Sequence, residues 1–294
     1  MKLSEFDIDR TYKAEVVSSE RITDESTAEV RHIVMRVTDP TFQFIEGQSI
    51  AALVPGPHAF GNDCHIRLYS IASSRFGEDD SEIAGLHLYP AEFSLCVRRC
   101  DYVDEVSGER YPGVASNYLC DRCAGDSVEI AGPYGRQFTT PKDPACNLLM
   151  IGVGTGIAPF RAFVKRIYQK GVSWKGKVRL FYGARTGMDL LYMNDRNGDI
   201  ANYYDQETFK AFEALSPRPH FDEPADVERT LKNNGDEVWW LLQDPMTHAY
   251  VSGLSNLEDK LDTTLAELAG SDDAWQQVKA RMIEEGRWST LFYE

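Results

Sequence analysis

The chain has 294 residues, 43% of them apolar and 26% charged, with 46 acidic against 31 basic side chains and a formal net charge of −15. That balance disfavours a nucleic-acid partner, and no apolar run approaches the roughly 20 residues of a bilayer crossing. The length suits two domains better than one.

The N-terminal "MKLSEFDIDR" has no apolar signal core, so the expected location is cytoplasmic. Six cysteines in a chain this long do not form a secreted disulfide framework. "CDRC" at 120–123 has metal-ligand spacing, but it lacks the second CxxC knuckle of a zinc ribbon, and no metal site is expected.

The first 140 residues read as strands: "TYKAEVVSSERI", "AEVRHIVMRVT", "QSIAALVP", "IRLYSIAS", "FSLCVRR" and "SVEIAGPYG", separated by turns rich in Gly, Pro and Asp. With one helix at "GVASNYLCDR", this pattern predicts an antiparallel β-barrel or sandwich. "TTPKDPAC" is the expected linker. Beyond it strands and helices alternate: "NLLMIGV", then "IAPFRAFVKRIYQKG" with Pro159 in its first turn, then "KVRLFYGA", a helix ending near "EVWWLLQD", "HAYVSGL" and "NLEDKLDTTLAELAG". Such alternation predicts a parallel sheet wrapped by helices. The expected domains are therefore residues 1–140 and 145–294.

Three stretches carry chemistry. In "HIRLYSIASS" the small side chains Ser70, Ala72, Ser73 and Ser74 give up the bulk that strands prefer, which implies that something flat or bulky approaches the backbone. "LLMIGVGTGIAPF" is a strand, a glycine-rich turn and a helix start. This context favours dinucleotide binding, with glycines used only for helix–sheet packing as the alternative. The turn lacks the Lys-Ser/Thr of a phosphate-transfer loop. From Pro144 to Met188 there is no acid, while Arg161, Lys165, Arg166, Lys170, Lys175, Lys177, Arg179 and Arg185 are all basic. The run is either a docking surface for an anionic partner or an ordinary basic surface.

Over nearly its whole length the chain resembles plant-type ferredoxin–NADP reductases. The matching segments are "RLYSIASS", "SLCVRR", "GVASNYLC" followed by "GD" and "GPYG", "GVGTGIAPFRAF", "LFYGART" with "LLY", "YVSGL" and a terminal Trp–aromatic–Tyr, in the family's order. The resemblance implies a Greek-key FAD-binding β-barrel followed by a Rossmann-like NAD(P)-binding domain. It implies electron transfer between NAD(P)H and a separate one-electron carrier, most readily ferredoxin, docked on the acid-free run with Arg98 and Arg99. The flavin's use here is that it takes electrons as a pair and releases them singly.

By resemblance, Arg67 forks the FAD pyrophosphate, Tyr69 stacks on the flavin and Ser70 bonds near N5. In an ideal strand Tyr69 and Ser70 point to opposite faces, so the strand twists or the ring meets it edge-on. Arg98 and Ser116 complete the pyrophosphate site, Tyr102 stacks on adenine, and Leu68, Cys96, Val97, Gly113, Val114 and Ala115 line the same cofactor. Gly154, Thr155 and Gly156 cradle the NAD(P) phosphates, with Arg185, Ser216, Arg218, Gly253 and Leu254 around the nucleotide. Tyr293 covers the flavin's other face, and Ser70, Ser252 and Tyr293 attend the reaction.

Three positions depart from the family pattern. Ser252 stands where the family has cysteine, and Leu291 where it has a glutamate, for which Glu294 is the candidate substitute. Asp226 stands where a tyrosine meets the NADP 2′-phosphate, and a carboxylate there argues for NADH tolerance. The segment "EDDSEIAGLHLYPAE" has no family counterpart. Two other readings follow: a reductase component of an oxygenase, or a flavin-bearing subunit with weak nicotinamide reactivity.

Overall fold

Short antiparallel strands build the first half of the molecule. The computed structural model describes residues 8–58, 63–76, 90–104, 107–135, 138–169, 171–219 and 225–293. Met1–Thr139 with Arg161–Lys170 form one compact unit, and Thr140–Phe160 with Gly171–Glu294 form another. All five tryptophans belong to the second.

In the first unit the elements are β1 (Thr11–Arg21), β2 (Val30–Val37), β3 (Ser49–Pro55), β4 (Cys64–Ser70), β5 (Ala91–Arg98), the hairpin β6 (Asp101–Val103) and β7 (Arg110–Pro112), helix α1 (Val114–Cys120) and β8 (Ser127–Tyr134). Six of these strands pair antiparallel in the order β4-β3-β8-β1-β2-β5. A bridge between Ile71 and Leu95 joins the continuation of β4 to β5, so the two edges of the sheet meet and close a barrel. Tyr12, Ala14 and Val16 alternate into its core along β1. There Phe42, Phe44 and Phe93 pack with ring centroids 5.6–6.3 Å apart.

The seam of the barrel is held more tightly than a strand pair requires. Ile71 N–H donates to the Gln48 carbonyl, Ala72 N–H to Ser94 O, and Ser94 N–H to Ser73 Oγ. The buried guanidinium of Arg161 donates to Ala72 O at 2.8 Å and to Ser94 Oγ at 3.3 Å. Glu46, 2% exposed, accepts from Ser74 Oγ and from the backbone and guanidinium of Arg75, with the closest contact at 2.6 Å. Ala72, Ser73 and Ser74 are buried here. Their small size therefore serves the seam, which corrects the expectation that all four small residues make room for a ligand.

In the second unit β9 (Asn147–Val153), β10 (Val178–Ala184), β11 (Phe209–Leu215), β12 (Thr247–Leu254) and β13 (Trp288–Tyr293) form a wholly parallel sheet in the order β11-β10-β9-β12-β13. β9 and β10 are buried almost throughout, as expected of parallel strands covered on both faces. A 3-10 turn at Gly154–Gly156 leads into α2 (Ile157–Ile167), whose residues from Arg161 onward belong to the first unit, and α3 (Val227–Asn233), α4 (Gly235–Gln243), α5 (Leu257–Ala269) and α6 (Asp272–Glu284) follow. The chain steps outward from β9 to β11, then returns to the other side of β9. The topological switch thus lies between β9 and β12.

All six barrel strands expected from sequence are present, as are α1 and the irregular linker. β11 and β13 were not expected. Both are edge strands with mixed polarity, so neither carries the continuous apolar run of β9 or β10. Most of the segment 78–92, through residue 89, lies outside the described residues, as does Glu294. Among the described residues no helix is long and apolar enough to cross a membrane.

Burial alone would raise the Glu46 pKa, but the Arg75 hydrogen bonds and charge hold it below the ordinary carboxylate value. Its stabilisation is therefore complete above the unfolded value of about 4.5, and is lost as pH falls through the lower folded value. Glu46→Ala should cost about 2–3 kcal/mol at pH 7. In urea titrations the gap from wild type should shrink on acidification below pH ~4.

Candidate functional site

Two clusters of the expected residues form, one in each unit. In the first, strand alternation separates neighbours on β4. Tyr69 packs against the main barrel core, while Leu68 joins a satellite cluster with Ile66 and Tyr134. Ser70 ends β4, half-buried like its neighbours Leu68 and Tyr69. Burial pushes the Tyr69 phenol far up, with Arg67 opposing and the thiols of Cys120 and Cys100 adding to it, so it stays protonated.

A knot of backbone bonds joins the chain just past β5 to α1. Gly113 N–H and the Asn117 side-chain amide both donate to Cys100 O, at 2.8 and 2.9 Å, and Cys100 N–H donates to Ser116 Oγ at 3.2 Å. Gly113 permits this approach, since a Cβ there would lie 2.9 Å from both Cys100 O and Ser116 Oγ. Arg98 is exposed beside the knot, Cys96 and Val97 are buried below it, Val114 is exposed and Ala115 buried. Tyr102, on the exposed hairpin, pairs with Tyr111 across it, and their rings stack at 5.4 Å. The arrangement offers two guanidinium groups, the first-turn amides of a helix and exposed aromatic faces, which suit a phosphate-bearing aromatic cofactor such as FAD.

The second cluster lies at the carboxyl ends of the parallel strands, where open α/β sheets bind ligands. Gly154 takes φ +54, a conformation that favours glycine. A Cβ on Gly156 would sit 2.3 Å from Ser252 O, so the turn crosses β12 at backbone contact. A Cβ on Gly253 would sit 2.6 Å from the Val153 side chain. The Tyr293 hydroxyl lies 3.1 Å from Thr155 Oγ1 and donates to Val153 O at 3.2 Å. Ser252 pairs with Gly152 on one side and Leu291 on the other, is buried, and its Oγ has no partner. An orphaned buried hydroxyl beside a glycine cradle fits a bound nicotinamide nucleotide.

Around it the chain ends of β10 and β11 converge less completely. Arg185 Nε and Nη2 both donate to Pro219 O, and Arg218 N–H donates to Ser216 Oγ. Ser216 is buried and Leu254 exposed. Asp226 caps α3 by accepting from Arg229 N–H and pairs with the Arg229 guanidinium at 3.2 Å.

The basic run is not one surface. Arg161, Lys165 and Arg179 are buried, and Arg179 pairs with Glu237 at 2.8 Å. Arg166 lies over the Phe76 ring, and Lys170 is outside the described residues. Arg99 is a clamp: it contacts Glu29, Asn117 and Asp121, each at 2.8 Å, and so fastens α1 to the start of β2. Burial and pairing withdraw these cations from docking. Glu29, Arg99, Asn117 and Arg161 are supports that sequence reasoning missed, because their partners are distant in the chain. Only "EGQ" and "SSR", each with one charge beside small or polar residues, hinted at the Glu46–Arg75 pair.

A family model described as an oxidoreductase NAD-binding domain matches residues 150–262. A ferredoxin–NADP reductase of Spirulina is 33% identical over 289 residues, which are 96% of this chain and 95% of that protein. The corresponding protein of Thermosynechococcus vestitus is 34% identical, covering 95% and 72%. A chloroplastic leaf isozyme from rice is 34% identical, covering 96% and 76%. Among solved structures, ferredoxin–NADP+ reductase from Plasmodium falciparum superposes with a TM-score of 0.73 at 17% identity, over 98% of each chain.

Gly156→Ala should destabilise the second unit by about 2–3 kcal/mol, because backbone rather than a flexible side chain must give way. Gly187→Ala, whose Cβ meets nothing within 4 Å, should change it by less than about 0.5 kcal/mol. Tryptophan fluorescence during urea unfolding reads both.

Proposed function

The chain belongs to the ferredoxin–NADP reductase family, and from that membership we propose that it is an FAD-dependent oxidoreductase passing electrons between NAD(P)H and a separate ferredoxin. The observation that carries this reading is the buried, unpartnered Ser252 hydroxyl at the switch point of the parallel sheet, beside a turn that admits no Cβ at Gly156. FAD, when bound, supplies the conversion between paired and single electrons that lets one nicotinamide serve two one-electron carriers.

We assign residues 1–140 to the FAD domain and 145–294 to the nucleotide domain. Arg67 and Arg98 hold the pyrophosphate, with the amides around Gly113, Val114, Ala115 and Ser116, while Cys96 and Val97 form the floor. Tyr69, kept protonated by its burial, and Leu68 and Ser70 bind the flavin, and Tyr102 takes adenine. Gly154, Thr155 and Gly156 receive the NAD(P) phosphates, and Arg185, Ser216, Arg218, Gly253 and Leu254 frame the nucleotide. Ser252 offers its hydroxyl to the nicotinamide. Tyr293 must give up its bonds to Val153 O and Thr155 Oγ1 if it yields its place. Cytoplasmic residence is proposed from the six cysteines, which no disulfide joins among the described residues, as suits a reducing compartment.

One observation favours the weakly reactive subunit as a second reading. Leu291 sits in register beside Ser252, and β13 carries no carboxylate from Trp288 to Tyr293. Anaerobic mixing of the purified yellow protein with NADH and NADPH separates the two. Rapid bleaching of the flavin band supports the reductase, and a stable oxidised spectrum overturns it. Asp226→Asn keeps the helix cap and removes a negative charge, so the NADPH-to-NADH ratio of kcat/KM should rise about three- to tenfold. The cations of the run that stay exposed, Lys175, Lys177 and Arg185, would dock an acidic ferredoxin, so its steady-state reduction should slow as ionic strength rises about tenfold from ~0.05 M.

A further inference from the structure

Every residue of β10 is buried, and a phenol buried there is costly unless its hydroxyl is bonded. Tyr182 Oη donates to the Gly154 carbonyl at 2.8 Å and accepts from Leu191 N–H at 3.3 Å. Gly154 O also accepts from Ile157 N–H, so both lone pairs of that oxygen are in use.

The consequence lies on the far side of the peptide. A trans peptide is planar, and its C=O and N–H point in opposite directions. Fixing Gly154 O between two donors therefore fixes the direction of Thr155 N–H. Leu191 is itself well anchored: it is buried, and the next residue, Tyr192, is buried at φ 61, the one positive φ outside glycine among the described residues. Such a conformation persists only where the surroundings determine it. Tyr182 thus ties the flexible glycine turn to a rigid segment.

We propose that Tyr182 is a positioning residue for the nicotinamide nucleotide, its hydroxyl holding the Gly154–Thr155 peptide so that Thr155 N–H faces the nucleotide diphosphate. The proposal rests on the reading of the glycine turn as the nucleotide site. The Tyr293 bonds act on the neighbouring Val153 carbonyl and the Thr155 side chain, so they do not duplicate this hold.

Tyr182→Phe keeps the ring and its packing while removing both bonds. Calorimetric titration of the FAD-loaded protein with NADP+, NAD+ and ADP should show dissociation constants raised about tenfold for all three, because each carries the diphosphate. FAD content, the visible flavin spectrum and kcat at saturating nucleotide should change less than about twofold. Unchanged dissociation constants in the variant, with a wild type that binds, would overturn the proposal, as would a loss confined to kcat or to melting temperature. A wild type that binds none of the three ligands overturns the nucleotide reading of the turn itself.

Discussion

The second half of the molecule depends on the contact of two backbones at one point. Where β9 ends and β12 passes, Gly156 lies so close to the Ser252 carbonyl that no side chain can intervene. This crossing lets the helix after the turn start beside the sheet, at its carboxyl edge. The exposed edge, the orphaned Ser252 hydroxyl and the Tyr293 bonds all follow from how closely those strands and that turn are drawn together.

The barrel half solves a different problem. A closed sheet needs a seam, and here the seam carries ionised groups in the interior. Glu46 and Arg161 both grip the backbone or side chains of residues 72–75 while standing outside the cofactor cluster. Buried charge is a poor source of net stability, but it restricts the geometries in which it is satisfied. The segment leaving Tyr69 and Ser70 is held in the single path that satisfies them. Arg99 does the same for α1, at the other wall of the cluster.

Much of this was legible in the sequence, for physical reasons. Short β-rich runs between turns rich in Gly, Pro and Asp marked the six barrel strands, and apolar runs alternating with helices marked β9, β10 and β12. Glycines marked the turn because only glycine fits there. The edge strands β11 and β13 were not legible, since one unpaired side tolerates polar residues and erases the pattern. Nor could the run of cations be read from its sign alone. Arg179 is consumed by Glu237, 58 positions away, and Arg161 by a carbonyl 89 positions away. Charge along a chain describes a surface only where the fold leaves it outside. Departures such as Leu291 were visible as letters, yet its place beside Ser252 came only from strand register.

The uneven distribution of indoles between the halves has a practical side. With every tryptophan in the parallel-sheet unit, indole emission, excited selectively over the phenols, is blind to the barrel. Trp275 on α6 and Trp288 on β13 meet edge to face at 5.4 Å, a pair sensitive to loosening of that helix from the sheet. Melting of the barrel would instead register through loss of any chromophore it holds. One sample, observed at two wavelengths, therefore separates the thermal lives of the two halves without cutting the chain.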